Sequence, residues 1–210
     1  MLMAFQVKPI VQLPLNGLDA HENELHKSYL RSVITALLWL LLYFTAATGL
    51  GRAFVQEEER GTALALRLSA RATTVWAGKF ALNALLQNGL ALVAAPLLVA
   101  AFGWGENANF GLFVCVLLLG NVGIAAVFTM TSALVAQASA KGGLLAVLSM
   151  PLLVPLFVAA VHGTRIALGE GADSVAATWA NGAADIQVLA SYAVASVAGA
   201  LFLFDFVWND

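Results

Sequence analysis

Residues 51–79 read GRAFVQEEERGTALALRLSARATTVWAGK, and they separate two apolar runs, 32–50 and 80–102. The hydrocarbon layer of a bilayer is ~30 Å thick and takes ~20 helical residues to cross, so each run is long enough to span. Inside the polar passage lie Arg52, Arg60, Arg67, Arg71 and Lys79, half of the ten Lys and Arg residues in the chain. Glu57, Glu58 and Glu59 precede a Gly61-Thr62 break and a short leucine-bearing segment. A chain this small leaves little room for a soluble domain. Its one long patterned loop therefore reads as a docking place for a partner.

The composition agrees with spans on either side. Of 210 residues, 61% are hydrophobic and only 10% charged. A soluble domain of this size cannot bury so much apolar side chain and still clothe its surface. The expected fold is an all-α, polytopic helical membrane protein forming a single transmembrane domain. A formal charge of −2 offers no basic face for nucleic acid. Cys115 is the lone cysteine and sits in an apolar run, which excludes a disulfide framework and a redox thiol pair. The first residues lack a basic n-region followed by a cleavable apolar core, so no secretory signal peptide is expected.

The N-terminal stretch 1–15 is apolar but short and carries Pro9 and Pro14, so it is at most a partial span. Residues 16–31 are polar and read as an aqueous loop or a short helix. Five full spans follow at roughly 32–50, 80–102, 110–136, 142–161 and 186–208. Pro96 interrupts the second, and Pro151 and Pro155 share one face of the fourth, where they are expected to bend it. Trp104 in the 103–109 turn suits a membrane interface. The 163–185 stretch, with Glu170, Asp173 and Trp179, reads as a loop.

Basic residues orient the bundle, since cytoplasmic loops carry the excess of Lys and Arg. One side collects Arg52, Arg60, Arg67, Arg71, Lys79 and Lys141; the other holds Lys8, Lys27, Arg31 and Arg165 among six acids. The 51–79 loop is then cytoplasmic, and the 16–31 and 163–185 loops are outside.

Other candidate chemistry is thin. His21 and His26 are five apart, about 140° around a helix, whereas helical zinc motifs place histidines four apart. A solvated acidic loop is the preferred reading there. His162 at the outer end of a span is read as an ordinary hydrogen-bonded histidine in preference to a haem ligand. Asn83, Gln87, Asn88 and Asn121 lie within spans, where amides commonly bond one helix to another at ~0.6–2 kcal/mol each. The absence of mid-depth charge counts against a proton- or sodium-coupled transporter. Gly78-Lys79 lacks the upstream glycine of a phosphate-cradling loop, so an ATPase, if one drives this protein, is another chain. The chain itself is not expected to be an enzyme or to bind a cofactor or metal.

Within 57–71 two readings compete. One is a solvated juxtamembrane helix with local pairs such as Glu57 with Arg60, worth a few tenths of a kcal/mol. The other, on one continuous helix, puts Arg60, Arg67 and Arg71 on one face beside Leu64 and Leu68. A leucine ridge flanked by fixed charge fits a groove on a cytoplasmic partner.

The pattern Arg52, Phe54, Glu57, Gly61-Thr62, then Leu64, Leu66 and Leu68, ending at Lys79, resembles the haem exporter protein B family. So do LLLGNVG from Leu117 and SALVAQASAKGGLLAVLSMPLLVP over 132–155. The similarity runs from about Leu37 to the end of the chain. It implies a permease-like bundle of the ABC-2 type in the bacterial cell inner membrane. It also implies partners: an ABC ATPase subunit, a haem-handling membrane subunit, a small single-span subunit and a haem chaperone. ATP would sit on the ATPase and haem would be handled by the complex, in cytochrome c maturation. On this resemblance the coupling segment comprises Arg52, Phe54, Glu57, Glu58, Gly61, Thr62, Leu64, Leu68 and Lys79. The family has six spans, so the numbered chain is expected to begin inside the first, as 1–15. The alternatives are an ABC-2 exporter half for another substrate and a non-transporting membrane scaffold.

Overall fold

The computed structural model describes residues 20–50, 54–62, 66, 68–102, 108–136, 144–169 and 177–209. Among these every regular element is helical: α1 (Ala20–Gly49), α2 (Val55–Glu59), α3 (Ala72–Phe102), α4 (Phe110–Ala136), α5 (Leu144–Ala167) and α6 (Trp179–Asn209). Five of them, all but α2, are long and apolar enough to cross a membrane. The partial span expected at 1–15 lies outside the described residues.

The helices outrun the expected spans at several ends, and each extension has a local cause. From Ala20 the polar stretch runs unbroken into α1, because it holds no proline, no glycine before Gly49, and several strong helix formers such as Glu22, Glu24 and Leu25. The 163–185 loop shrinks to 168–178, since α5 continues to Ala167 and α6 starts at Trp179. Gly163 allows this: a Cβ there would lie 3.0 Å from that of Asp185. The α5 end is closed by Gly169 at φ +76°, and the Ala167 carbonyl accepts the Asn109 N–H at 2.7 Å. Similarly, α3 begins at Ala72, well before residue 80, because Val75 and Trp76 are buried and hold its first turns against the bundle.

Helix α4 is the axis. Its span is 61% buried, against 17–33% for the others, and α1, α3, α5 and α6 all pack on it. Small residues permit that crowding. A Cβ on Gly120 would lie 2.3 Å from Cη2 of Trp39 in α1, and one on Gly123 would lie 2.3 Å from Cδ1 of Leu156 in α5. The Trp39 ring is pinned in turn by its Nε1–H, which donates to Thr164 Oγ1 at 3.1 Å. The outward faces of α3 and α6 keep Leu85, Leu97, Val194 and Phe202 exposed, as a surface facing hydrocarbon requires.

The span amides divide into two kinds. Asn83 donates to Thr129 Oγ1 at 2.8 Å, joining α3 to α4, and Gln87 donates to the Leu42 carbonyl at 2.9 Å, joining α3 to α1. These are interhelical bonds. Asn88 and Asn121 instead donate to carbonyls four residues back on their own helices, Ala84 and Leu117. At the far end of the bundle His162 pairs through Nδ1 with Asp185 Oδ2 at 2.8 Å, which ties α5 to α6 and matches the hydrogen-bonded reading of that histidine.

Candidate functional site

The polar passage folds as an elbow, and the elbow begins with burial. Phe54 and Val55 are 3% and 8% exposed, so the chain is seated on the bundle where α2 starts. The Phe54 ring packs against Phe204 of α6, with centroids 5.3 Å apart. Arg52, at the entry, is outside the described residues.

Helix α2 stops where the sequence places glycine. Gly61 takes φ +68°, a left-handed conformation that costs an L side chain roughly 1–2 kcal/mol. The Thr62 N–H then reaches back to the Glu57 carbonyl at 3.0 Å, the six-to-one bond of a Schellman closure. One continuous helix through 57–71 is therefore corrected: the Gly61 reversal separates α2 from the next helical turn. That turn is anchored by Leu66 N–H on the Thr62 carbonyl and Ala70 N–H on the Leu66 carbonyl, at 3.1 and 3.2 Å. Arg60 and Arg71 thus belong to different segments and cannot share a helical face through continuity. Leu66 packs partly against the core, whereas Leu68 is 82% exposed. Leu64 lies outside the described residues.

Glu57 is the hub. Its carboxylate accepts from the Thr62 hydroxyl and from Lys79 Nζ, the latter at 3.1 Å. Lys79 also stands over the Phe54 ring, 5.0 Å from its centroid. Lys79, two turns into α3, is the hydrogen-bonded cation on Glu57 at 3.1 Å, and the expected local partner Arg60 adds a weaker coulombic pull. Chiefly the Thr62 hydrogen bond, and then that from Lys79, hold the Glu57 carboxyl below its ordinary value of 4.5. Phe54, Glu57, Gly61, Thr62 and Lys79 thus come together as one clamp. Of Glu58 only the backbone, within α2, is described. Two things escaped the sequence: the Lys79 partner, 22 residues away, and Phe204, for which no local signal exists.

Lys79→Met is expected to loosen the elbow. A partly exposed ion pair contributes ~0–1 kcal/mol and a cation–π contact ~0.5–1 kcal/mol. Losing both raises the open population about tenfold, read as faster tryptic cleavage after the exposed Arg60. Cleavage at the wild-type rate would dismiss the clamp. The pH sign is fixed by the lowered Glu57 value. Its contribution is full above pH 4.5 and is lost as pH falls through the depressed value, so the protection of the Thr62 amide, relative to an unstructured amide at the same pH, should hold at about pH 5 and fall only in stronger acid.

The residues of this elbow and of the α4–α5 packing fall within a matched family. The family described as CcmB protein matches residues 25–203. The chain belongs to the CcmB family. No curated protein and no solved structure matches it. CcmB is the haem exporter protein B family of membrane subunits of haem-exporter ABC systems, and the five helices among the described residues that are long and apolar enough to cross a membrane suit a multi-pass subunit. The CcmB match takes in the whole elbow, from Phe54 to Lys79, together with the glycines that let α1 and α5 approach α4.

Proposed function

We propose that this chain is the membrane subunit that receives mechanical work from a partner ABC ATPase during cytochrome c maturation. On this reading the work drives haem handling, or the release of a haem-loaded chaperone, in a complex with a haem-handling subunit and a small single-span subunit. The bacterial inner membrane is its place. One observation carries the proposal. The elbow is clamped inward, through Lys79 to α3 and through Phe54 to α6, while it offers Leu68 outward at 82% exposure. An exposed leucine on a firmly mounted turn is a contact that can pass displacement into two spans. A partner shifts such spans only if its two states contact them differently.

Orientation is the first test. The 51–79 segment is expected to be cytoplasmic and the 168–178 connection outside. A cysteine in place of Ser174 should react with an impermeant thiol reagent in intact cells, and one in place of Ser69 should not. Cys115, half-buried within α4, is replaced by Ser in both variants so that only the introduced thiol is read. The opposite labelling pattern would overturn the orientation and the coupling with it. Co-purification of an ATPase and restoration of c-type cytochromes in a strain lacking this subunit test the rest.

A further inference from the structure

We propose that residues 146–152 of α5 form a hinge latched by two tyrosine hydroxyls, Tyr43 from α1 and Tyr192 from α6. The hinge comes from the sequence of α5. Pro151 has no N–H to give the Val147 carbonyl, and Pro155 has none for the carbonyl of Pro151. Two rungs of the helical ladder are therefore missing within little more than one turn. The two tyrosine bonds do not take these freed carbonyls; they hold the carbonyls immediately outside them.

The latches flank the two freed carbonyls, Val147 and Pro151. The Tyr43 hydroxyl donates to the Ala146 carbonyl at 2.8 Å, one residue before Val147, and the Ser149 hydroxyl reaches the same oxygen at 3.2 Å. The Tyr192 hydroxyl donates to the Leu152 carbonyl, one residue after Pro151. Two tyrosines from different helices thus hold the ends of one weakened stretch. The ring of Tyr43 is itself fixed between Phe128 of α4 and Phe157 of α5, at centroid distances of 5.6 and 5.8 Å, so its hydroxyl is aimed and not merely near.

Both latches lead to the elbow. Helix α1 ends at Gly49, five residues before Phe54 in the chain, and α6 carries Phe204 against Phe54. A displaced elbow pulls on the helices that bear Tyr43 and Tyr192. Release frees the first turns of α5 to pivot about residues 147–151. What drives the hinge rests on the coupling reading above; the hinge itself belongs to this chain alone.

Amide exchange of the full chain in lipid nanodiscs tests it without any partner. Tyr43→Phe combined with Tyr192→Phe keeps both rings and removes only the hydroxyls. It is expected to speed exchange at residues 148–156 about tenfold while α4 stays protected. Pro151→Ala combined with Pro155→Ala restores two N–H groups and is expected to slow the same amides. Wild-type exchange in the tyrosine variant, equal quickening of α4, or no slowing in the alanine variant overturns the hinge. ATPase capture by the same variants separates the two proposals. Normal capture with unchanged exchange removes the hinge alone, and altered exchange in a chain that never captures an ATPase removes the coupling reading alone.

Discussion

A chain carrying Leu64→Asp and Leu68→Asp is expected to lose its ATPase during purification and to fail in cytochrome c assembly. Leu68 projects from the turn that follows the Gly61 reversal, and it contributes little to this chain's own stability at 82% exposure. If each leucine is buried by the partner, each contributes ~1.5–3 kcal/mol to the contact. Burying two carboxylates in their place reverses that contribution and adds a desolvation cost of several kcal/mol. The expected loss is therefore far larger than for a rim charge, so Glu58→Gln should be mild, at ~0–1 kcal/mol. The measurement is pull-down yield with haem-stained cytochrome c, at matched membrane levels of each variant. An aspartate variant that still binds the ATPase and still matures cytochromes would show that docking lies elsewhere. Gly61→Val adds a separate check. It leaves the leucines in place but strains the φ +68° position, and it should weaken capture only as far as the turn is displaced.

Gly120→Leu is expected to have the largest effect on the bundle itself. Already the first added carbon would stand 2.3 Å from Cη2 and 2.7 Å from Cζ3 of Trp39, which is 1% exposed. An indole ring is not the flexible end of a side chain, and this one is held by its bond to Thr164, itself buried. Overpacking of this kind typically costs ~1–3 kcal/mol, and here α1 must move away from α4 to relieve it. The heated, detergent-solubilised variant should lose its folded peak by size exclusion at a clearly lower temperature than wild type. Gly89→Ala is the control: a Cβ there meets nothing within 4 Å, and alanine favours the helix by ~1 kcal/mol. Trp39→Phe should partly rescue Gly120→Ala, because two residues in contact are not additive. Equal melting of Gly120→Leu and wild type would dismiss the Trp39–Gly120 contact.

Much of the architecture is legible in the sequence because its causes are local. Span length and hydropathy are properties of consecutive residues, and they place five crossing helices whatever those helices pack against. The Gly61-Thr62 break is equally local, since a left-handed turn selects glycine within the same few residues. The helix ends are set by weaker local signals. Beyond residues 31, 161 and 186 the helices continue or begin among polar or small residues, where hydropathy fades and favourable propensity and tertiary burial take over. Which groups meet depends on the packing of the helices. Glu57 takes its hydrogen-bonded cation, Lys79, from 22 residues away, with Arg60 three residues away adding only a weaker pull, because α3 folds back over Phe54. Trp39 meets Thr164 across 125 residues, and Phe54 meets Phe204, by virtue of helix order around α4. A sequence window carries the preference of each residue for water or hydrocarbon and for helix or turn. It does not carry the relative rotation and depth of the helices, and those set the partners of the clamp and of the two tyrosines on α5.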